Sequence, residues 1–474
     1  MQTSSRPRNA RVRAFRLKFV VSLFCAICCL GGVAPAFAQD DATALIIELL
    51  NDKDKEIRAL AFEQIRTEAK GEAATVKFAG LLPTLGSDSQ IGLLNALSAR
   101  GDKAAAPAVR SLLSQSVGDP VKIAAIDALG LLGADQDVAL LVPLLFSKVK
   151  AEQAAARLSL ERLAGDATSA AIAKEMQRAS TAQRLLLIDV LKSRRGGAPA
   201  LLEAAVDADP AVRSAAMSAL GEVGAPEHVV GMVKGIFKAQ PGAERIAAER
   251  AVALVSQRTT DLAERAAPLL AVMKLLPASD KIILLPTLGR IGGSAALEVV
   301  EKAFADSDPK MHAAGLMALC NWPDGSIASR LSELAKAEKN LEHRKLARRA
   351  LIRVAPLPDG RSDQQRLELL QSVFAMCEND TERNLVLQRA SGIRTIETLR
   401  FVASYLTKPA FAQQACESIV ELAHHRGLRE PNKAEFDRVL DHVIKLSQDE
   451  VVIDRAKRYK AGQTWVRPKP TKTS

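Results

Sequence analysis

The chain has 474 residues, 48% of them hydrophobic but only 4% aromatic, and a formal net charge of +11. The charge sits at the ends. Residues 1–38 carry six positive charges and no acid, residues 455–474 carry seven and no acid, and 39–454 is left at −2. This excludes a uniformly basic groove along the body of the kind a nucleic-acid binder needs, though a local patch stays open.

The first 38 residues read as a cleaved export signal. Arg6, Arg8, Arg11, Arg13, Arg16 and Lys18 precede an apolar run at 19–34, and Ala36-Phe37-Ala38 supplies a small-x-small cleavage site before Gln39. The competing reading is a membrane anchor, but 16 apolar residues fall short of the roughly 20 that a spanning helix requires. Export places the mature protein in a periplasm, cell envelope or exterior. Cys25, Cys28 and Cys29 lie in the apolar run, and no lipobox-like site precedes a cysteine. Cys320, Cys377 and Cys416 remain, too few and too far apart for a disulfide framework, and each reads as a buried apolar thiol.

After a polar lead at 39–41, residues 43–50 and 52–65 form a first helical hairpin with Ile57, Ala61 and Ile65 inward. As the end of a stack it needs a polar outer side, which Lys53, Asp54, Lys55 and Glu56 supply. The clearest unit is 207–224, DADPAVRSAAMSALGEVG. Asp209 is a suitable N-cap and Pro210 fits the first helical position. Val212, Ala215, Ala216, Ala219 and Leu220 form one apolar stripe. Gly221 and Gly224 end the helix. Pro226 opens a second one with Val229, Val230, Val233, Ile236 and Phe237 on one face. Copies recur with anchors at Ile65, Leu97, Leu129, Leu160, Leu191, Leu220, Leu254, Leu288, Leu319 and Leu351, spaced 29 to 34 residues apart. A period near 32 with two helices per unit predicts an all-α solenoid of about ten to twelve hairpins. Irregular stretches at 238–242 and 258–261 fall inside the longer intervals. Residues 262–276 are expected to be a second helix.

The segment 355–363, APLPDGRSD, interrupts the pattern and marks a module boundary. Amphipathic helices follow, the first with Leu367, Leu370, Val373 and Phe374 inward, then 399–406, 411–422, 436–446 and 451–459. The expected organisation is a signal at 1–38, a repeat solenoid at 39–355, a helical-hairpin module continuing the stack at 356–460, and a basic disordered tail at 461–474.

The pattern D-x-x-V-R-x-x-A-x-x-A-L-G-x-x-G from Asp209 to Gly224 resembles HEAT-type repeats, the short bacterial kind also found in phycobilisome lyases. The resemblance covers roughly residues 40 to 355. The region beyond 355 resembles the C-terminal helical module of secreted HEAT-repeat proteins from planctomycete-like bacteria, where it often accompanies sugar-hydrolase-like or cytochrome-type domains. The resemblance implies the fold and hardly any function, because these repeats serve unrelated tasks.

Seven residues before the anchors stand Arg58, Gln90, Lys122, Gln153, Arg184, Arg213, Ala247, Lys281, His312 and Arg344. The seven basic ones, Arg58, Lys122, Arg184, Arg213, Lys281, His312 and Arg344, form either a cationic strip for an acidic partner or a structural ladder. HEAT-like repeats are known for Asp–Arg ladders, and the ladder would bond Asp54, Asp119, Asp209, Asp308 or loop carbonyls. For a metal, the best grouping is Cys416 with His424 and His425, but no C-x-x-C, H-E-x-x-H or H-x₃₋₅-H spacing supports it. No haem-attachment, P-loop, nucleophile-elbow or dinucleotide motif occurs, nor the His-Glu dipeptides of HEAT-type di-iron hydroxylases, so no cofactor or catalytic residue is assigned. Trp322 reads as a packing residue or a binding hot spot. Trp465, with Arg467 and Lys469, reads as a linear contact in the tail.

Together these features predict an exported, non-enzymatic scaffold. It would bind a protein partner along its helical surface, with no nucleic acid and no transmembrane segment after cleavage. The alternatives are a polyanion or envelope binder working through the tail, and an enzyme or accessory subunit whose site is assembled from several repeats.

Overall fold

A computed structural model of the chain describes residues 36–67, 71–115, 118–165 and 167–466. The signal segment expected at 1–38 lies outside the described residues except for its last three, which open the first helix. Arg467 and Lys469 also lie outside them. The described residues form helices joined by turns and short irregular links, without a strand. None of their helices is long and apolar enough to cross a membrane.

The chain divides into two compact units, Met1–Ala179 and Ser180–Ser474. The first contains α1 (Ala36–Leu50), α2 (Lys55–Thr67), α3 (Glu72–Ala79), α4 (Ser87–Arg100), α5 (Ala106–Leu113), α6 (Asp119–Leu132), α7 (Val138–Leu141), α8 (Lys150–Arg162) and α9 (Ala167–Met176). Helices α2, α4, α6 and α8 carry the anchors, and each packs against the next in this row.

The second unit runs through α10 (Thr181–Ser193), α11 (Ala198–Ala204), α12 (Pro210–Val223), α13 (Val229–Lys238), α14 (Ala243–Ser256), α15 (Ala267–Lys274), α16 (Ala278–Ile291), α17 (Ser294–Phe304), α18 (Pro309–Cys320), α19 (Ala328–Ala337) and α20 (Leu341–Val354). It continues with α21 (Asp363–Met376), α22 (Asp380–Ala390), α23 (Ile396–Ala403), α24 (Ala412–His424), α25 (Arg426–Arg429), α26 (Lys433–Leu446) and α27 (Glu450–Lys460). The even-numbered helices α10 to α26 pack in succession, and α20 meets α22 across the 355–363 loop. Each unit is an α-solenoid of stacked helical hairpins.

Local chemistry explains where helices begin. The Asp209 carboxylate accepts from Ala211 N at 2.8 Å, and the Asp308 carboxylate accepts from Lys310 N at 2.9 Å. Both satisfy donors that a helix start leaves free. Asp119 instead lies inside the first turn, with Gly118 at the cap.

Nine of the ten expected anchors are fully buried, whereas Leu254 is 55% exposed. The buried set Ala216, Met217, Ala219, Leu220 and Gly221 of α12 recurs 32 positions later as Ala248, Glu249, Ala251, Val252 and Ala253. Val252 is therefore the anchor of α14, two residues before the expected one. The interval from Val252 to Leu288 is 36 residues. It accommodates the turns at 257–266, so α15 starts at Ala267 rather than 262. On α13 the inward face is Val229, Met232, Val233 and Ile236, and Val230 points to solvent.

Glycine at the position after an anchor lets neighbouring helices touch. A Cβ on Gly289 would stand 2.1 Å from Ala318 O, and one on Gly130 would stand 2.6 Å from Ser159 Cα. The Ser159 hydroxyl donates to Ile126 O at 2.8 Å, and Ser418 repeats the bond to Leu387 O at 3.0 Å.

Candidate functional site

Of the basic positions seven residues before the anchors, Arg58, Arg213 and Arg344 reach from the helix face back to carbonyls of the preceding loop. Arg58 Nη1 donates to Asp52 O and Lys53 O at 2.8 and 3.0 Å. Arg213 Nη1 donates to Asp207 O and Ala208 O, both at 2.9 Å. Arg344 Nη1 donates to Glu338 O at 3.4 Å. The glutamines at this position act alike, Gln90 bonding Leu82 O and Gln153 bonding Ser147 O. In α14 the residue in register is Arg245, which donates to Ala239 O at 2.9 Å. Ala247, the residue expected there, is displaced with its anchor. Arg383 continues the device beyond the ladder, donating to Cys377 O at 2.8 Å.

Several of these cations also bond acids further along the chain. Lys122 pairs with Glu152 at 2.9 Å, Arg184 pairs with Asp207, and Arg213 reaches Glu244 at 2.8 Å. Burial works against the Glu152 and Glu244 anions, yet the bonds from Lys122 and Arg213 hold both below the usual range. Asp54, Asp209 and Asp308 are occupied as acceptors for backbone N–H groups of their own helix starts. Lys281 is half-buried and has no ion pair among the described residues.

A second set of arginines, not anticipated from the sequence, closes helix C-termini of the preceding repeat. Arg100 donates to Ile65 O at 2.8 Å, Arg258 to Gly221 O at 2.6 Å and Arg353 to Cys320 O at 3.0 Å. Each brings a cation to the negative end of a helix. Basic residues two to six places after an anchor were the available signal.

In the second unit, α20, α21, α22 and the loops at 355–363 and 391–394 enclose a cleft of about 670 Å³. Arg353, Arg366, Arg389 and Arg394 line it, with Asp363 as the one acid and Pro356, Leu357 and Pro358 as the apolar wall. Arg366 Nη1 donates to Pro356 O at 2.7 Å, and a second amino group bonds Asp363. Its Nε is a buried donor with no hydrogen-bond partner. Arg389 and Arg394 are exposed. Burial lowers the Arg353 pKa, and the charges of Arg389 and Arg290 lower it further. The cleft thus gathers more positive charge than its own acid neutralises.

Among the described residues, the single group of three converging metal-type ligands is His312, Glu338 and His343, whose ligand atoms lie within 4.8 Å of one another. Cys416 does not join His424 and His425. It is buried, and His424 Nδ1 lies 2.9 Å from Tyr459 Oη. Burial pushes the Cys416 and Cys377 thiols up to about 11 and that of Cys320 up to about 12, which makes all three poor nucleophiles near neutral pH. Trp322 is buried and donates to Ser326 Oγ at 3.1 Å, so it packs the interior. Trp465 is half-buried, with the Arg455 guanidinium 5.1 Å from its ring centre. The start of the tail is therefore laid against α27.

No protein-family model and no curated protein matches the sequence. Solved structures similar to the chain include the karyopherin Kap121p bound to the SUMO protease Ulp1p, at 13% identity and a TM-score of 0.41, covering 90% of this chain and 49% of that one. Kap121p bound to Pho4p matches at 10% identity and a TM-score of 0.43, covering 91% and 54%. An engineered protein matches at 17% identity and a TM-score of 0.26, covering 89% and 98%. The chain spans about half the length of the karyopherin chains it matches.

Proposed function

We propose that this protein is an exported, non-enzymatic scaffold whose Arg353–Arg394 cleft docks an acidic segment of a protein partner. The observation that carries the reading is the convergence of four arginines on a cleft with one acid of its own. Planar guanidinium groups suit carboxylates. The Pro356–Leu357–Pro358 wall gives apolar contact that a bare polyanion would not use. Export rests on the basic and apolar pattern of 1–38. Intact mass of the protein from its native cell should show a chain starting at Gln39.

The docking reading is tested by titrating a fluorescent oligoglutamate peptide into the purified chain. Saturable binding is expected, weakened by salt and reduced at least about tenfold by Arg389→Glu with Arg394→Glu. No binding, or equal binding by the double variant, rejects the cleft as the docking site. Tighter binding of heparin or an oligonucleotide would instead favour a polyanion partner.

Trp465 favours one second reading, an envelope contact through Arg467 and Lys469. Arg455 holds the ring that precedes these residues. Truncation after Ala461 should then release the protein from envelope fractions, and unchanged association would end the idea.

A further inference from the structure

We infer that His312, Glu338 and His343 form a binding site for a single divalent transition-metal ion, with Zn²⁺ as the reference ligand. Three neighbouring elements supply the ligands. His312 lies in α18, Glu338 is the residue that ends α19, and His343 lies in the first turn of α20. The arrangement is distinct from the arginine cleft and does not depend on it.

Two features prepare these side chains for a cation. The ring of His312 stacks on Phe304 at 4.5 Å between centres, and its Nδ1 contacts Phe304 O. A carbonyl only accepts, so Nδ1 carries the proton and the lone pair is on Nε2. This is the orientation that metal-ligating histidines adopt when a carbonyl fixes the far nitrogen. His343 Nδ1 is buried and has no hydrogen-bond partner in the protein. Leaving such an atom unpaired costs about 1–3 kcal/mol, and a metal would satisfy it. The two imidazole centres are 5.9 Å apart.

Glu338 supplies the anion. Its Oε1 accepts from Asn340 N at 3.1 Å, which holds the carboxylate against the turn and leaves Oε2 available. The bond from Arg344 goes to the Glu338 main-chain oxygen and not to its carboxylate. Two imidazoles and one carboxylate match the borderline ions, Zn²⁺ above all, and leave at least one coordination position for water. Binding requires neutral imidazoles.

The full chain, made without a polyhistidine tag and stripped with chelator, is titrated with Zn²⁺ near neutral pH by calorimetry. One equivalent per chain is expected. Affinity should fall at least about tenfold in His312→Ala, His343→Ala and Glu338→Gln, and stay unchanged in His424→Ala. Absence of stoichiometric uptake, or uptake unaffected in a folded His312→Ala/His343→Ala double variant, overturns the site. A measurement free of variants is histidine modification by diethyl pyrocarbonate with and without Zn²⁺. Protection of His312 and His343 is expected, and equal labelling rejects the proposal.

Discussion

Arg348 is 2% exposed and Glu382 1% exposed. They meet at 2.7 Å, and Glu378 takes a second amino group of the same guanidinium at 2.9 Å. Burial opposes the Arg348 charge, but the two glutamates outweigh it and raise its pKa. Removing Arg348 leaves the buried Glu382 carboxylate only the exposed Arg349, 3.7 Å away, so Arg348→Ala should destabilise by up to about 3–5 kcal/mol. Replacing both, as Arg348→Met with Glu382→Leu, should recover most of that loss. Urea unfolding of the variants decides the matter, and a cost below about 1 kcal/mol for Arg348→Ala would contradict this account. Asp102 offers a pH test. The Thr75 hydroxyl donates to it at 2.6 Å and, with Ala104 N, holds its carboxyl below the usual range. A depressed carboxylate contributes stability above its unfolded pKa and loses it as pH falls through the folded value. Thr75→Val should therefore flatten part of the acid limb below about pH 4, measured as unfolding midpoints against pH.

At the scale of the element, the A-L-G signature conceals two kinds of contact. A Cβ on Gly289 would enter the backbone of α18, whereas one on Gly221 would meet the Ala251 Cβ at 3.3 Å. Alanine gains about 1 kcal/mol of helix propensity at either place. Overpacking against backbone costs about 1–3 kcal/mol or more, so Gly289→Ala should lower the melting temperature and Gly221→Ala should leave it nearly unchanged. If both behave alike, the close approach of α16 and α18 is not what requires glycine. The helical period and most anchors were legible in the sequence because each repeat writes the same apolar stripe. Register in α14 was not. Ala253-Leu254 imitates Ala219-Leu220, while the buried set is fixed by how α12 and α16 press on α14. The arginine cleft and the His312–Glu338–His343 cluster were illegible for a related reason. Their members come from separate helices and turns, and no fixed spacing along the chain unites them.

At the scale of the molecule, each compact unit has its own row of packed helices. A fragment of residues 180–474 should fold by itself, with helical circular dichroism and a cooperative denaturant transition. A fragment that stays unfolded would mean that its row needs the first unit. Within a unit, stability should behave as a sum over repeats and their joints. Substitutions at distant joints, such as Gly289→Ala and Arg348→Ala, should then add within about 0.5 kcal/mol.

The arginine staples bear on how such a chain can change its length. Arg58, Arg213, Arg245 and Arg344 bond carbonyls five or six positions earlier in their own repeat. A duplicated repeat would bring its staple with it. Arg213–Glu244 and Arg348–Glu382 instead join consecutive anchor helices, with both partners largely removed from water. Deleting a repeat at either joint would bury a charge opposite a stranger. Descendants of this chain should therefore gain and lose repeats where only the staples hold, and keep charged joints such as these as inherited pairs.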